Sequence, residues 1–129
     1  MDKIALVAAA AALLAAGAPP PLPFDVHVDV PQDRGPQEVN TLVRVFPRGG
    51  SSGWHVHPGT EIAYLLSGEM ELQSAGAPPR RMRPGDHFVM PRGVAHNGVT
   101  IGSRPAKVLI TYVVDKGVPV RSPVPPPGQ

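Results

Sequence analysis

Three histidines and one glutamate in the middle of the chain have the residue types and the spacing of a metal site. His55 and His57 are two residues apart, so on a β-strand both imidazoles would point to one face and could chelate one ion. Glu61 follows four residues after His57 and has the same parity, and His96 would come from a later strand. Three imidazoles and one carboxylate are a typical ligand set for a divalent first-row metal.

A His-x-His pair alone leaves the interpretation open, because surface and hydrogen-bonded histidines show the same spacing. The chain has no Cys, which excludes disulfides, thiolate nucleophiles, Cys-type zinc sites and iron–sulfur clusters. Any metal must therefore be held by nitrogen and oxygen ligands. Such ligands do not choose among iron, manganese, nickel, copper and zinc. The other two histidines, His27 and His87, are interpreted as surface residues.

Short β-branched segments between Gly and Pro turns are expected to position these side chains. The first segment alternates apolar and polar residues from Phe24 to Val30, which is typical of a half-buried strand. Ser67-Gly68 predicts a hairpin turn, and Ser74 to Pro79 is predicted to be a loop. The predicted strands are Phe24–Val30, Thr41–Phe46, Glu61–Leu66, Glu69–Gln73, His87–Met90, Val94–Val99 and Lys107–Val114. Many short strands at regular spacing predict an all-β sandwich or barrel.

The frame around the first three candidate ligands is more specific than the ligands themselves. The order is Gly49, five residues, His55, one, His57, three, Glu61, six, Gly68. This resembles the first motif of the cupin superfamily, G-x5-H-x-H-x3-4-E-x6-G, and every position matches. Gly68 would take the hairpin turn, where a positive φ is cheap only for glycine.

The frame around His96 resembles the second motif of the same superfamily, G-x5-P-x-G-x2-H-x3-N. Gly85, Pro91, Gly93 and His96 match it, but Thr100 stands where the motif closes with Asn. Asn97 is out of register and does not replace that residue. The Asn is not a metal ligand in the family, so the departure affects a local turn contact and leaves the ligand set intact.

The resemblance implies a small jelly-roll β-barrel that spans 24–117. It would place His55, His57, Glu61 and His96 as metal ligands inside the barrel mouth, with one or two coordination positions left for water or substrate. Glu61 could also act as a catalytic base when it swings off the metal. Small cupins commonly pair through strand edges, so a homodimer is expected.

Both ends of the chain are predicted to lie outside this domain. Residues 1–18 join Lys3 to an apolar run and end in Ala-Gly-Ala, which is the pattern of a secretory signal peptide. The run is shorter than the 18 or so apolar residues that a membrane span needs, so no stable span is expected after processing. Residues 19–23 form a Pro-rich linker and 118–129 a Pro-rich tail. The protein is therefore predicted to be periplasmic or secreted.

The composition fits a folded domain and offers no case for nucleic acid. The chain has 14 Gly and 18 Pro among 129 residues, which the many predicted turns explain. Apolar residues make up 42% and charged residues 17%, so a packed core is expected. The formal net charge is only +2, which gives no basic patch by itself.

Two functional classes follow from the resemblance. The first is a metal-dependent enzyme, most plausibly a dioxygenase-type oxidoreductase that acts on a small organic molecule. Isomerases and decarboxylases also occur among small cupins. The second class is a non-catalytic protein that binds a small ligand or a metal. An enzyme should carry a further acid or base near the metal, and Tyr64 and Tyr112 are the candidates.

Overall fold

The computed structural model describes residues 26–31 and 34–128, and the strands found there are all paired in antiparallel sheets. The strands are β1 (Gln37–Phe46), β2 (His55–Val56), β3 (Gly59–Ser67), β4 (Glu69–Ser74), β5 (Ala77–Met82), β6 (His87–Met90), β7 (His96–Ile101), β8 (Ala106–Asp115) and β9 (Ser122–Pro123). No helix within the described ranges is long and apolar enough to cross a membrane. The predicted signal peptide and linker, 1–18 and 19–23, lie outside the described residues.

Two sheets make up the domain. The first has the order β1-β8-β3-β6 and the second β5-β4-β7-β2-β9. Strands that are neighbours in a sheet are mostly distant in the chain, so the pairing brings distant segments together. The all-β prediction is confirmed.

The core lies between the two sheets because β3 and β8 have a strict alternation of buried residues. On β3, Glu61, Ala63 and Leu65 are buried, while the residues between them are only half-buried. On β8 every second residue from Ala106 to Val114 is buried. The opposing sheet contributes Met70, Leu72 and Met82 to this core, and Met90 comes from β6. One face of each central strand therefore builds the core, and Glu61 is the charged residue on the buried face of β3.

Two glycines allow the strands around Glu61 to approach each other. A Cβ at Gly59 would lie 2.0 Å from the carbonyl oxygen of Val113, so β3 and β8 can pair at this point only without a side chain. Gly68 has a φ of 78° and forms the predicted turn between β3 and β4. A Cβ there would also lie 2.3 Å from the carbonyl oxygen of Pro105.

The strand predicted over Phe24–Val30 is wrong for the part that the structure describes. Residues 26–31 form no strand, and 24–25 lie outside the described residues. The burial alternation survives, since Val26 and Val28 are half-buried while His27 and Asp29 are exposed. Val28 lines a surface groove together with Val89 of β6. The apolar alternation therefore reflects contact with the sheet surface and not membership of a sheet.

The loop predicted over Ser74–Pro79 is also wrong. It shortens to a turn at Ala75-Gly76, because β4 continues to Ser74 and β5 begins at Ala77. Two prolines, Pro78 and Pro79, lie within β5, where they are tolerated because β5 is an edge strand of its sheet.

The segment predicted to be a Pro-rich tail, 118–129, contributes to the second sheet. Ser122–Pro123 forms β9 and pairs with β2, so that Pro123 lies opposite His55. The composition of this segment indicated only an irregular end. Strand pairing here involves two residues, which is too short for any periodicity to show.

Candidate metal centre

The four candidate ligands come from three strands and one connecting segment of the two sheets. His55 on β2 lies directly opposite His96 on β7. His57 follows β2, and Glu61 lies on the buried face of β3. The backbone carbonyl of His57 accepts a hydrogen bond of 3.1 Å from Gly93 N–H. This bond joins the turn that precedes His96 to the segment that carries the first two histidines.

The sequence prediction of these four residues as a cluster agrees with their positions. One potential ligand atom from each residue lies within 4.8 Å of all the others. Glu61 Oε2 is 2.8 Å from His57 Nε2 and 2.9 Å from His96 Nε2. All four residues are buried, with 2–5% of their surface exposed.

Each imidazole is oriented by a backbone carbonyl. The Nδ1 atoms of His55, His57 and His96 lie 2.6, 2.6 and 2.9 Å from carbonyl oxygens of Gly53, Val120 and Val94, respectively. A carbonyl oxygen can only accept, so each Nδ1 carries the proton and donates. In the neutral imidazole this leaves the Nε2 lone pair free to bind a metal, and such carbonyl contacts are the usual support of ligating histidines.

The four potential ligand atoms suit a bound cation better than they suit direct contact with one another. His57 Nε2 is buried and has no hydrogen bond within the described residues, although it lies 2.8 Å from Glu61 Oε2. In the neutral tautomer that the carbonyls select, Nε2 and the carboxylate oxygen are both acceptors and repel each other. A divalent ion bound between these two atoms would accept a lone pair from each of them. Imidazole nitrogens with one carboxylate suit a first-row transition metal.

Burial and hydrogen bonding set the ionisation of two of these residues in the metal-free chain. Burial raises the pKa of Glu61, but its close contacts with the His57 and His96 imidazoles outweigh burial and hold that pKa at about 2. For His55, burial lowers the pKa to about 4 despite the opposing effect of the Gly53 carbonyl. At neutral pH the centre therefore contains a carboxylate and an uncharged His55, both in their ligating forms.

A cavity of about 50 Å³ adjoins the centre. Because a water molecule needs roughly 10–15 Å³ by this measure, the cavity has room for only a small ligand. His55, Glu61 and His96 form one part of its wall, and the remainder is largely apolar. The lining residues outside the centre include Phe46, Met70, Leu72, Phe88, Ile110, Tyr112, Arg44 and Arg121.

Of the two tyrosines predicted as further acids or bases, only Tyr112 is at the site. It lies opposite Glu61 on the neighbouring strand, and its ring is centred 4.8 Å from that of His57. Burial, followed by the charge of Glu61, raises the pKa of Tyr112 to about 12, so the phenol keeps its proton. Tyr64 lies on the opposite face of the first sheet, where it lines an outer groove with Leu66 and Leu109.

Two arginines of the cavity wall were not singled out from the sequence. Arg44 has the same parity as Leu42 and Phe46, which pack against the core, so the alternation of β1 could have indicated its side. Arg121 belongs to the predicted tail, where no pattern marked it. Both guanidinium groups lower the pKa of Tyr112, although burial dominates its shift.

The departure from the second motif has a local structural consequence. Thr100 is buried, and its hydroxyl has no hydrogen-bond partner among the described residues. Asn97 is also buried: its side-chain oxygen accepts bonds from the hydroxyls of Ser51 and Ser52, and its amide donates to Gln73. Asn97 therefore ties the loop before His55 to β4 and β7.

Two facing antiparallel sheets around a buried centre of three imidazoles and a carboxylate define a jelly-roll barrel with a candidate metal site. The chain belongs to the cupin family, since the cupin domain model matches residues 42–112. The predicted family and jelly-roll fold are confirmed.

Three comparisons illustrate the relationship. The chain is 41% identical over 67 residues to dimethylsulfoniopropionate lyase DddQ of Ruegeria pomeroyi, which covers 52% of this chain and 33% of that protein. It is 31% identical over 75 residues to oxalate oxidase 1 of Hordeum vulgare, covering 52% and 37%. The crystal structure of the Ruegeria pomeroyi lyase superposes with a TM-score of 0.62 at 34% identity, covering 70% and 45%. The matched region thus spans about a third of the length of these curated relatives.

Proposed function

We propose that this protein is a metal-dependent enzyme that acts on a small carboxylate. The observation that carries the proposal is a small cavity whose wall includes Arg44, Arg121 and three residues of the buried His₃Glu centre. The sequence predicted a small organic substrate without naming its class.

The cavity wall carries two arginines and two glutamates, Glu61 and Glu71, so its charge favours an anion once a divalent ion is bound. Among the described residues, neither Arg44 nor Arg121 has a carboxylate within ion-pair distance. With a divalent ion at the centre, Glu61 would offset only part of the positive charge there. Guanidinium groups bind carboxylates through paired hydrogen bonds, so these two can orient a substrate carboxylate near the centre.

The names of the relatives point to the same substrate class. One acts on dimethylsulfoniopropionate and the other on oxalate, and both molecules carry a carboxylate. The cavity volume of about 50 Å³ limits the substrate to a small molecule.

A bound divalent metal would supply a Lewis acid at the substrate's reacting oxygen. The chain's own residues would divide the remaining tasks. Arg44 and Arg121 orient the anion, the apolar wall around Phe46 and Phe88 excludes water, and the Tyr112 hydroxyl can donate a hydrogen bond or a proton to the substrate. Glu61 remains the proposed base for any step in which it leaves the metal.

The reaction class stays a prediction. A dioxygenase-type oxidation is the first alternative, and isomerisation, decarboxylation or ligand binding without turnover are the others. The lyase among the relatives adds elimination to the reactions that an assay should cover.

The proposal is tested by loading the purified protein separately with iron, manganese, nickel, copper or zinc. Each form is then incubated with oxalate and with dimethylsulfoniopropionate, while oxygen uptake and substrate loss are followed. Turnover that depends on the metal and disappears in His57→Ala would support an enzyme. Tight carboxylate binding without turnover in any metal form would instead establish the binding-protein alternative.

Export to the periplasm or the medium also remains proposed, and it rests on residues 1–18. Expression in the native host followed by cell fractionation and N-terminal sequencing would test it. A mature protein that starts near residue 19 and leaves the cytoplasm would support export, whereas an intact N-terminus in the cytoplasmic fraction would contradict it.

A further inference from the structure

We propose that the C-terminal segment, defined here as residues 118–124, is the positioning element of the metal site and fixes two of its three imidazoles. The inference rests on the proposed metal site but concerns residues outside both motifs. The segment runs along β2: Pro123 pairs with His55 and Ser122 with Val56. Val124 N–H also donates a hydrogen bond of 3.0 Å to the carbonyl of Trp54.

His57 is oriented directly by this segment. Its Nδ1 donates to the carbonyl of Val120 over 2.6 Å, a contact that joins residues 63 positions apart. Val120 is half-buried and packs against the hydrophobic core, so its carbonyl is held in place. Without this acceptor, nothing described in the structure would keep the His57 proton on Nδ1, and Nε2 would no longer be reserved for the metal.

His55 is oriented through one intermediate. Its Nδ1 donates over 2.6 Å to the carbonyl of Gly53. The Arg121 guanidinium donates to the adjacent Ser52 carbonyl and lies 3.5 Å from the Gly53 carbonyl. Arg121 therefore holds the turn that presents the Gly53 carbonyl, and Gly53 itself has a φ of 72° in that turn.

His96 provides an internal comparison. Its Nδ1 donates to the carbonyl of Val94, two residues earlier in its own turn, over 2.9 Å. No contact between His96 and the C-terminal segment is needed for this bond. Loss of the segment should therefore disturb His55 and His57 while His96 keeps its tautomer.

The experiment compares the full-length protein with two shortened chains and with substitutions of Arg121 and Arg104. A chain that ends at Gly117 removes the segment, and a chain that ends at Pro125 is its matched control. Arg121→Ala removes only the guanidinium, and Arg104→Ala is its control on an exposed loop. Circular dichroism verifies folding, calorimetric titration with Zn²⁺ alone gives metal affinity, and ¹⁵N NMR of the metal-free protein assigns the tautomer of each histidine.

Full-length protein and both controls should bind one Zn²⁺ with equal affinity and show all three histidines protonated at Nδ1. Removal of orienting partners typically weakens metal binding about 10-fold to 100-fold. We expect the upper end of that range for the Gly117 chain and the lower end for Arg121→Ala. In the Gly117 chain His57 should lose its Nδ1 tautomer, in Arg121→Ala the His55 signal should become mixed, and His96 should be unchanged in both.

If the chain that ends at Gly117 fails to fold, Arg121→Ala still tests the positioning role. Arg121→Lys should bind Zn²⁺ more tightly than Arg121→Ala. Unchanged Zn²⁺ affinity and unchanged tautomers in folded variants would overturn the positioning role. If the full-length protein binds no Zn²⁺ but the tautomers still shift as described, the positioning role stands and the proposed metal site fails.

Discussion

At the scale of single residues, His57 is the ligand whose loss should be most informative. Its Nε2 lies 2.8 Å from Glu61 and its Nδ1 is held by Val120. His57→Ala removes one of three imidazoles and leaves the carboxylate without its nearest partner. We expect metal content, measured by elemental analysis, to fall by most of one equivalent per chain.

His27→Ala is the matched control for this substitution, since its side chain is 89% exposed. It should leave the metal content unchanged. Full metal content in His57→Ala would show that the ligand assignment is wrong, whereas equal losses in both variants would indicate a general effect of handling.

Arg44 should contribute to substrate binding and not to metal binding. Arg44 is an exposed residue that lines the cavity, and it has no acidic partner among the described residues. Loss of a charge-assisted hydrogen bond costs roughly 1.5–3 kcal/mol, so Arg44→Ala should raise KM for a carboxylate about 10-fold or more while kcat changes little. Steady-state kinetics would measure this effect.

Arg48→Ala tests whether the effect is specific, because Arg48 is exposed and does not line the cavity. Arg44→Lys should retain part of the binding. An unchanged KM in Arg44→Ala would remove Arg44 from the proposed carboxylate site, even if the protein proves to be an enzyme.

At the scale of structural elements, Gly59 decides whether β3 can pair with β8 beside the metal centre. Gly59→Ala would place a Cβ 2.0 Å from the Val113 carbonyl oxygen, which is rigid backbone. Overpacking of this kind typically costs about 1–3 kcal/mol or more. Thermal unfolding should therefore show a clear loss of stability, and Glu61, two residues away, should lose its alignment.

Gly98→Ala is a suitable comparison because its nearest contact, 3.0 Å away, is the mobile end of the Met70 side chain. It should unfold near the wild-type temperature. A Gly59→Ala protein as stable as Gly98→Ala would contradict the close approach of β3 and β8.

An ion pair ties the turn before β7 to the end of β8. Both guanidinium nitrogens of Arg92 donate to Asp115 over 2.7 Å, and these bonds lower the pKa of that carboxyl. Because the pKa of Asp115 is lower in the folded protein than in the unfolded chain, its carboxylate stabilises the fold at pH values above the unfolded pKa. This stabilisation is lost as the pH falls through the folded pKa. Arg92→Met should therefore lower the unfolding temperature by a few degrees at pH 7 and have little effect in strong acid.

Unfolding scans from neutral pH down to strong acid would measure this difference. Arg83→Met provides the control, since Arg83 is exposed and has no ion pair to Asp115. A difference between Arg92→Met and the wild type that is independent of pH would show that packing, and not the ion pair, accounts for the effect.

The elements show which parts of the fold local sequence can predict. The strands β3 and β8 could be predicted because apolar, β-branched runs bounded by turn residues are local features of the sequence. The Phe24–Val30 prediction failed because contact with the outer surface of a sheet produces the same alternation. Pro78 and Pro79 were assigned to a loop because the edge position that tolerates them depends on how distant strands are arranged.

At the scale of the whole molecule, the candidate ligands could be predicted and their supports could not. His55, His57, Glu61 and His96 lie in two short motifs with fixed spacing, so one sequence was enough to group them. Val120 and Arg121 reach the centre through a segment that pairs with β2 and joins distant parts of the chain. A two-residue strand in a Pro-rich segment has no local pattern, so this contact could not be predicted.

The outer face of the first sheet carries several large apolar side chains. Several of its large apolar side chains are exposed, and they lie side by side in the register of β1, β8 and β3. Val43 is opposite Leu109, which is in turn opposite Tyr64. The exposed members are Val39, Val43, Val45, Leu66, Val89 and Leu109. Contiguous apolar patches of this kind are rarely left open on soluble monomers.

The family resemblance implies a homodimer that pairs through strand edges, and we predict that it forms through this face, of which β1 is an edge strand. Val43 is 53% exposed at the centre of the edge strand, so Val43→Lys would bury an unpaired charge in each half of a two-fold interface. Val118→Lys is the matched control, because Val118 is 45% exposed but lies outside this sheet. Light scattering coupled to gel filtration should give a dimer for the wild type and for Val118→Lys, and a monomer for Val43→Lys. A wild-type monomer at every concentration, or a Val43→Lys dimer, would contradict this assignment. The metal content should stay the same in monomer and dimer, because all four ligands come from one chain.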